Sequence, residues 1–139
     1  MQALFLVGEQ RSGSNLLRLM ISNSHEIAAP HPPHILQRID PIVPVHQVLD
    51  NEKFNQVVEI VCRLVETNPV PWLNTVLDRE DVKRRCREKH VIAIYGAVMD
   101  IYGESNGAIA WLCKSMQNIR WAEHLNSYFG NNKYIYLHR

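Results

Sequence analysis

Residues 3–20, ALFLVGEQRSGSNLLRLM, decide the fold of this chain. The apolar run at residues 3–7 has the length of a buried parallel strand, and Gly8 ends it. Apolar residues then return at helical spacing, at Leu16, Leu17, Met20 and Ile21. This stretch predicts a buried strand, a short loop of small residues and an amphipathic helix.

The loop has the composition of a phosphate-binding loop. Gly8 and Gly13 bracket four residues, and such a loop turns its backbone N–H groups inward at the positive end of the following helix. The spacing matches the first six positions of GxxxxGK[ST]. However, Ser14 stands in place of the lysine and Asn15 in place of the metal-binding Ser or Thr. The sequence therefore predicts an anion site without the chemical groups of a nucleotide triphosphatase.

A cation inside the loop, Arg11, is followed by two hydroxyls that can hydrogen-bond phosphate oxygens. The segment QRSGSNLL, residues 10–17, resembles the 5′-phosphosulfate loop of sulfotransferases. The resemblance implies a P-loop-type α/β domain, a parallel sheet with helices on both faces. It also implies that 3′-phosphoadenosine-5′-phosphosulfate (PAPS) and its product adenosine 3′,5′-bisphosphate (PAP) bind at Gln10, Arg11, Ser12, Gly13, Ser14, Asn15 and Leu16.

The composition is that of an ordinary globular domain. The chain has 139 residues, of which 46% are hydrophobic and 21% charged, and its net charge of +1 gives no indication of nucleic-acid binding. No apolar run is long enough to span a membrane, and no signal-peptide pattern is present. The cysteines lack the spacing of a zinc site, so we expect no metal, a reducing compartment and a cytoplasmic location; they are Cys62, Cys86 and Cys113.

A proline-rich segment follows the first helix and excludes regular helix at residues 30–33. It presents His31 and His34, and we expect it to cross the mouth of the phosphate site. His34 matches a histidine that sulfotransferases carry in this segment, whereas Pro32 stands about where many members have an acidic residue. The resemblance makes His34, before His31, the candidate general base. Alternatively, both histidines are ordinary polar loop residues.

Most of the remaining chain is predicted to be structural scaffold rather than part of the site. Helical periodicity predicts helices over residues 46–68, 79–89, 91–102 and 118–129, with Gly103 closing the third. A short apolar turn or helix is expected at residues 72–77. The mixed charges of residues 79–89 predict a solvated helix face, or alternatively part of a basic rim that attracts an anionic ligand.

Two further strand patterns end on cations. Residues 108–115 read as a buried strand that runs into Lys114, and residues 133–139 form a strand that stops on Arg139. Because the carboxyl ends of parallel strands share one edge of a sheet, we expect Lys114 and Arg139 to lie beside the loop between Gly8 and Gly13. Lys114-Ser115 resembles the Lys-Ser/Thr pair of sulfotransferases, although Met116 stands where cytosolic members have a catalytic histidine. Arg139 matches an arginine that binds the 3′-phosphate.

Taken together, these motifs predict a sulfotransferase that moves a sulfuryl group from PAPS to an acceptor hydroxyl or amine, without a metal. The predicted catalytic residues are Arg11, Lys114, His34 and His31. A small-molecule kinase is an alternative that lacks its expected Lys and Ser/Thr, and a non-catalytic nucleotide-binding module is another. The acceptor stays open among carbohydrate, phenol, lipid and polyketide hydroxyls.

The resemblance covers the amino-terminal half of the usual sulfotransferase domain. We therefore expect residues 1–139 to form a single α/β domain that is truncated at its carboxyl end. Such a domain is expected to pair with another chain, for example a second copy of itself, or to aggregate.

Overall fold

A four-stranded parallel sheet forms the centre of the computed structural model, which describes residues 1–9 and 11–138. The strands are β1 (Gln2–Gly8), β2 (Ile27–Ala28), β3 (Ala110–Cys113) and β4 (Lys133–Leu137). Their order is β2-β3-β1-β4, and every neighbouring pair is parallel. β1 is thus a central strand, as its apolar sequence predicts, because a strand that is buried on both faces needs no polar alternation.

Helices flank the sheet, so the predicted α/β class is confirmed. They are α1 (Ser14–Ser22), α2 (Ile35–Ile39), α3 (Asn51–Glu66), α4 (Arg79–Arg85), α5 (Val91–Ser105) and α6 (Ala122–Phe129). A 3₁₀ helix, Met116–Trp121, leads into α6. None of the helices in the described part of the chain has the length and hydropathy needed to cross a membrane.

The two faces of the sheet carry cores of very different size. Phe5 and Val7 point from β1 into the main core, which the helices from α2 to α6 cover. Leu6 points to the opposite face and joins a small cluster that contacts Leu17 and Ile21 of α1. This division follows from the period of two along a strand. The main helical layer therefore lies on one face, and α1 covers the other.

The apolar stripe predicted for α1 is partly wrong. Leu17 and Ile21 pack on the sheet as expected, but Leu16 is 64% exposed and Met20 is 63% exposed. The buried side of α1 instead includes Arg18, which is only 8% exposed. A helix that lies flat on a sheet buries one narrow stripe, and Leu16 and Met20 fall outside it.

The predicted helix over residues 46–68 begins later than expected, at Asn51. Asp50 caps α3, since its Oδ1 accepts a hydrogen bond from the Lys53 N–H at 2.8 Å. An aspartate in this position satisfies a backbone donor that has no partner inside the helix. Residues 46–50 therefore lie outside the helix, with His46 in a turn, and the prediction that they are helical was wrong.

Gly103 does not close α5, which continues to Ser105. The residue is buried, and a Cβ atom added there would overlap the Met1 side chain. The absence of a side chain at Gly103 thus lets Met1 pack closely against α5. Of residues 72–77, only Leu73 and Asn74 form a turn, one of the two expected forms, and the others are irregular. The predicted helix at residues 118–129 divides into the 3₁₀ helix and α6.

Candidate functional site

Gly8 is where the chain leaves the sheet and enters the candidate loop. Its φ is +145°, and a Cβ atom at this position would overlap the Leu137 carbonyl oxygen of the neighbouring β4. Only glycine allows the two strands to approach this closely here. The loop therefore starts at the carboxyl edge of the parallel sheet, where open α/β sheets bind their ligands.

The loop backbone turns twice through left-handed conformations before α1. Arg11 has φ 60° and Gly13 has φ 84°. Left-handed backbone is uncommon for a residue such as arginine, and it occurs often at binding sites. Gly13 occupies the N-cap position of α1, and as a glycine it has no side chain that could cap the helix. The N–H groups of the first turn are thus open to an anion.

Ser12 provides an observation that favours an anionic ligand in this loop. Its Oγ is shielded from solvent and has no hydrogen-bond partner among the described residues. A buried hydroxyl without a partner costs about 1–3 kcal/mol, and such groups in native proteins usually have a reason. Next to an uncapped helix and a loop arginine, a phosphate group fits this set of donors.

A cleft of about 410 Å³ opens beside the loop. It is lined by Arg11, Ser14, His34, Gln37, Arg38, Lys114, Met116 and Gln117. The fold thus brings together Arg11, His34 and Lys114 from three separate segments of the chain. None of the lining residues in the described ranges is an Asp or Glu. A cleft with cations alone favours anionic ligands.

His34 connects two of these segments. Its Nδ1 lies 3.1 Å from the Oγ of Ser115, a residue that is 2% exposed and directly follows Lys114. The His34 backbone is left-handed, with φ 55°. Partial burial, and then the positive charges of Arg38 and Lys114, lower the pKa of His34 below the usual value of a histidine. The ring is therefore neutral near pH 7 and able to accept a proton.

His31 is not among the residues that line the cleft. Its Nδ1 accepts a hydrogen bond from the Asn68 amide at 3.2 Å, and its carbonyl oxygen accepts one from Trp72 Nε1 at 2.9 Å. Burial and the nearby Arg18 lower the pKa of His31. These contacts attach the proline-rich segment to the end of α3, so the geometry gives His31 an anchoring role.

Several other predicted site residues lie outside the cleft lining. Asn15 accepts a hydrogen bond from Arg18 Nε at 3.3 Å, and Leu16 points to solvent. The predictions for Gln10 and Arg139 fall outside the described residues. Ser14 lines the cleft, whereas the Ser12 hydroxyl is buried in the loop itself.

Sequence reasoning missed Arg18. Its Nη1 donates a hydrogen bond to the Ala29 carbonyl oxygen at 2.9 Å and so connects α1 to the segment that carries the histidines. A single arginine within the apolar stripe of a short helix was the available signal. Such a residue needs a hydrogen-bond acceptor when it is buried, and the sequence does not indicate which one it finds.

Gln37 and Arg38 were also missed. Both lie on α2, and Arg38 comes one helical turn after His34. His34 is the N-cap residue of α2, and the spacing of i and i+4 places Arg38 one helical turn further along. This spacing was present in the sequence, but it predicts that His34 and Arg38 are close only if residues 35–39 are known to be helical.

Comparisons with known proteins give one positive result. Neither the curated proteins nor the solved structures include a match to this chain. A family model described as "Sulfotransferase family" matches residues 3–139. The match includes the Gly8 loop, the His34 segment and the strand that ends at Lys114. Because it extends over almost the whole chain, the protein belongs to the sulfotransferase family.

Proposed function

We propose that this protein transfers a sulfuryl group from PAPS to a hydroxyl or amine of an acceptor. The observation that carries the proposal is the convergence of Arg11, His34 and Lys114 on one cleft beside the Gly8–Ser14 loop. Membership of the sulfotransferase family supports sulfuryl transfer as the reaction class. A cytoplasmic location, expected from the cysteine pattern, is part of the same proposal.

The loop would hold the 5′-phosphate of the donor. Arg11 contributes a positive charge, and the Ser12 and Ser14 hydroxyls and the first-turn N–H groups of α1 contribute hydrogen bonds. PAPS supplies an activated sulfuryl group attached to that phosphate. Arg11 and Lys114 then stabilise the negative charge that grows on the oxygen from which the sulfuryl group departs.

His34 is the proposed general base. When its Nδ1–H donates to Ser115 Oγ, its Nε2 is left unprotonated and available to the acceptor. A lowered pKa keeps the ring in this neutral form at pH 7. Proton removal by a positioned base typically accounts for a factor of about 10²–10⁴ in rate.

Ligand-induced stabilisation tests the donor. PAP should raise the melting temperature of the protein, whereas ATP with Mg²⁺ should raise it much less. Arg11→Ala should remove most of the PAP effect without unfolding the protein, because Arg11 is exposed in the loop. Arg84→Ala is the matched control, since Arg84 is an exposed arginine of α4 that does not line the cleft. Equal, magnesium-dependent stabilisation by ATP would favour a kinase instead.

A transfer assay separates an enzyme from a binding module. The full chain is incubated with PAPS and a mixed panel of phenols and sugars, and PAP release is measured. PAP release above the rate without acceptor supports the enzyme. PAP binding without any acceptor-dependent release would support a non-catalytic role.

A further inference from the structure

Arg38 reaches the cleft because of how α2 is packed. Ile35, Leu36 and Ile39 are buried in the main core, which directs Gln37 and Arg38 to the outer side of this short helix. The Arg38 N–H also donates to the His34 carbonyl oxygen at 3.0 Å. The arginine is therefore held one helical turn from the proposed base.

The Arg38 guanidinium has no ion pair among the residues that the structure describes, in contrast to the arginines of α4. Arg79 pairs with Glu59 at 2.8 Å, and Arg85 pairs with Glu104 at 2.8 Å. The cleft lining in the described ranges contains three cations and no carboxylate. An arginine that faces a cleft without a partner is well suited to bind a planar or tetrahedral anion from solution.

Arg38 and the loop between Gly8 and Gly13 line the cleft from different segments of the chain. Arg38 belongs to the helix that follows His34, whereas Arg11 belongs to the loop that follows β1. The positive charge of Arg38 contributes to the lowered pKa of His34, in agreement with the short separation of the two residues along α2. An acceptor whose proton His34 removes must come close to this histidine, and Arg38 lines the same cleft one helical turn away.

We propose that the acceptor is acidic: its reacting hydroxyl or amine lies near a carboxylate, sulfate or phosphate group, and Arg38 binds that group. Gln37, the other outward residue of α2, is positioned to add a hydrogen bond. This inference rests on the proposed function and narrows its acceptor class. It makes Arg38 a specificity-determining residue rather than a catalytic one.

Two matched series of acceptors test the charge preference. The phenols are 4-hydroxyphenylacetate, its neutral amide and tyramine; the sugars are the methyl glycosides of glucuronic acid, glucose and glucosamine. In at least one series the anionic member should show the highest kcat/KM, with an advantage that shrinks as salt rises. Isothermal titration of the same compounds in the presence of PAP measures binding, and it decides the question even where turnover is too slow to detect.

Variants then assign the preference to Arg38. Arg38→Gln should reduce kcat/KM for the anionic acceptor about 10- to 100-fold, mainly through KM, as expected for loss of a charge-assisted hydrogen bond. Arg38→Glu should shift the preference toward the cationic member of the series. Arg84→Gln, the same charge change on exposed α4, should leave the acceptor preference unaltered.

The outcomes separate this inference from the proposed function. If both series show no preference for the anion, or if Arg38→Gln retains that preference, then the acceptor is not held in this way. A large loss of PAP affinity in Arg38→Gln would show that Arg38 binds the donor nucleotide rather than the acceptor, and it would also overturn the inference. Failure of PAP to stabilise the unmodified chain would instead contradict the proposed function itself.

Discussion

His34 Nδ1 and Ser115 Oγ lie 3.1 Å apart although 81 positions separate these residues in the sequence. The contact joins the segment before α2 to the residue that follows Lys114 at the end of β3. Ser115 is almost fully buried, so its hydroxyl is a fixed partner rather than a mobile surface group. The bond can therefore hold both the orientation and the tautomer of the imidazole.

Ser115→Ala should lower kcat about 3- to 10-fold, the equivalent of one hydrogen bond. The PAP dissociation constant should stay nearly the same, because Ser115 is not among the residues that line the cleft. Nitrogen-15 NMR of His34 provides a direct readout, since loss of the acceptor should redistribute the two neutral tautomers. Ser127→Ala, at an exposed serine of α6, serves as the control. An unchanged tautomer ratio in Ser115→Ala would show that the hydroxyl does not orient the ring.

The two histidines of the proline-rich segment should behave differently when each is replaced by alanine. His34→Ala should lower kcat by a factor of about 10²–10⁴ with little effect on PAP affinity. His31→Ala should mainly reduce the free energy of unfolding, because His31 Nδ1 accepts a hydrogen bond from Asn68 outside the cleft. Steady-state kinetics and urea unfolding of both variants make the comparison. A larger kcat loss in His31→Ala would exchange the two roles.

Stability should fall when the pH drops below about 6.5, the ordinary pKa of histidine. The folded-state pKa values of His31 and His34 are lowered, chiefly by burial. As the pH decreases, the unfolded chain therefore binds protons first, and the folded state loses stability until the pH passes the folded-state pKa. Above pH 6.5 both states are neutral and the effect is absent.

Urea unfolding between pH 5 and 7.5 measures this dependence. The double variant with His31→Gln and His34→Gln should show a smaller decrease in unfolding free energy across the range than the unmodified chain. The lowered carboxyl pKa values, such as that of Glu59 at about 2, reduce stability from about pH 5 downward, at the acidic end of this range. If the unfolding free energies of both proteins decreased equally between pH 7.5 and pH 5, the result would contradict the lowered histidine pKa values.

Gly8→Ala should destabilise the protein by about 2–4 kcal/mol, the range of a strongly disruptive substitution. The added Cβ would overlap the Leu137 carbonyl oxygen and force β1 and β4 apart at the start of the loop. Gly107→Ala is the matched control, because Gly107 also has a positive φ, of 69°, but has open space around the Cβ position. It should cost only the left-handed backbone strain of about 1–2 kcal/mol.

Urea unfolding measures the free energy of unfolding of the Gly8→Ala and Gly107→Ala proteins, and so compares how much each substitution destabilises the fold. PAP binding by any folded Gly8→Ala protein should also be weaker, since the loop would leave the sheet at a changed position. Equal destabilisation by the two substitutions would mean that the close approach to β4 is relieved by a small backbone shift.

The sequence alone determined the parts of this protein that depend on local pattern. Residues 3–20 carry their own strand, loop and helix signals, because apolar spacing and glycine positions report backbone conformation over a few residues. The same local reasoning identified Lys114 at the end of a buried strand. Since all strands of the sheet run parallel, both segments had to end at one edge, and both contribute to the cleft.

Tertiary structure decided which side chains share that cleft. The sequence preferred His34 to His31 only through the family resemblance, whereas in the structure Asn68 and Trp72 hold His31 and Ser115 contacts His34. Arg38 reaches the site only because the buried residues of α2 turn it outward. Such contacts depend on how distant segments pack, and packing selects among partners that the local pattern leaves equally available. The strand order β2-β3-β1-β4 arises in the same way, from the burial of whole helices against the sheet rather than from any single stretch.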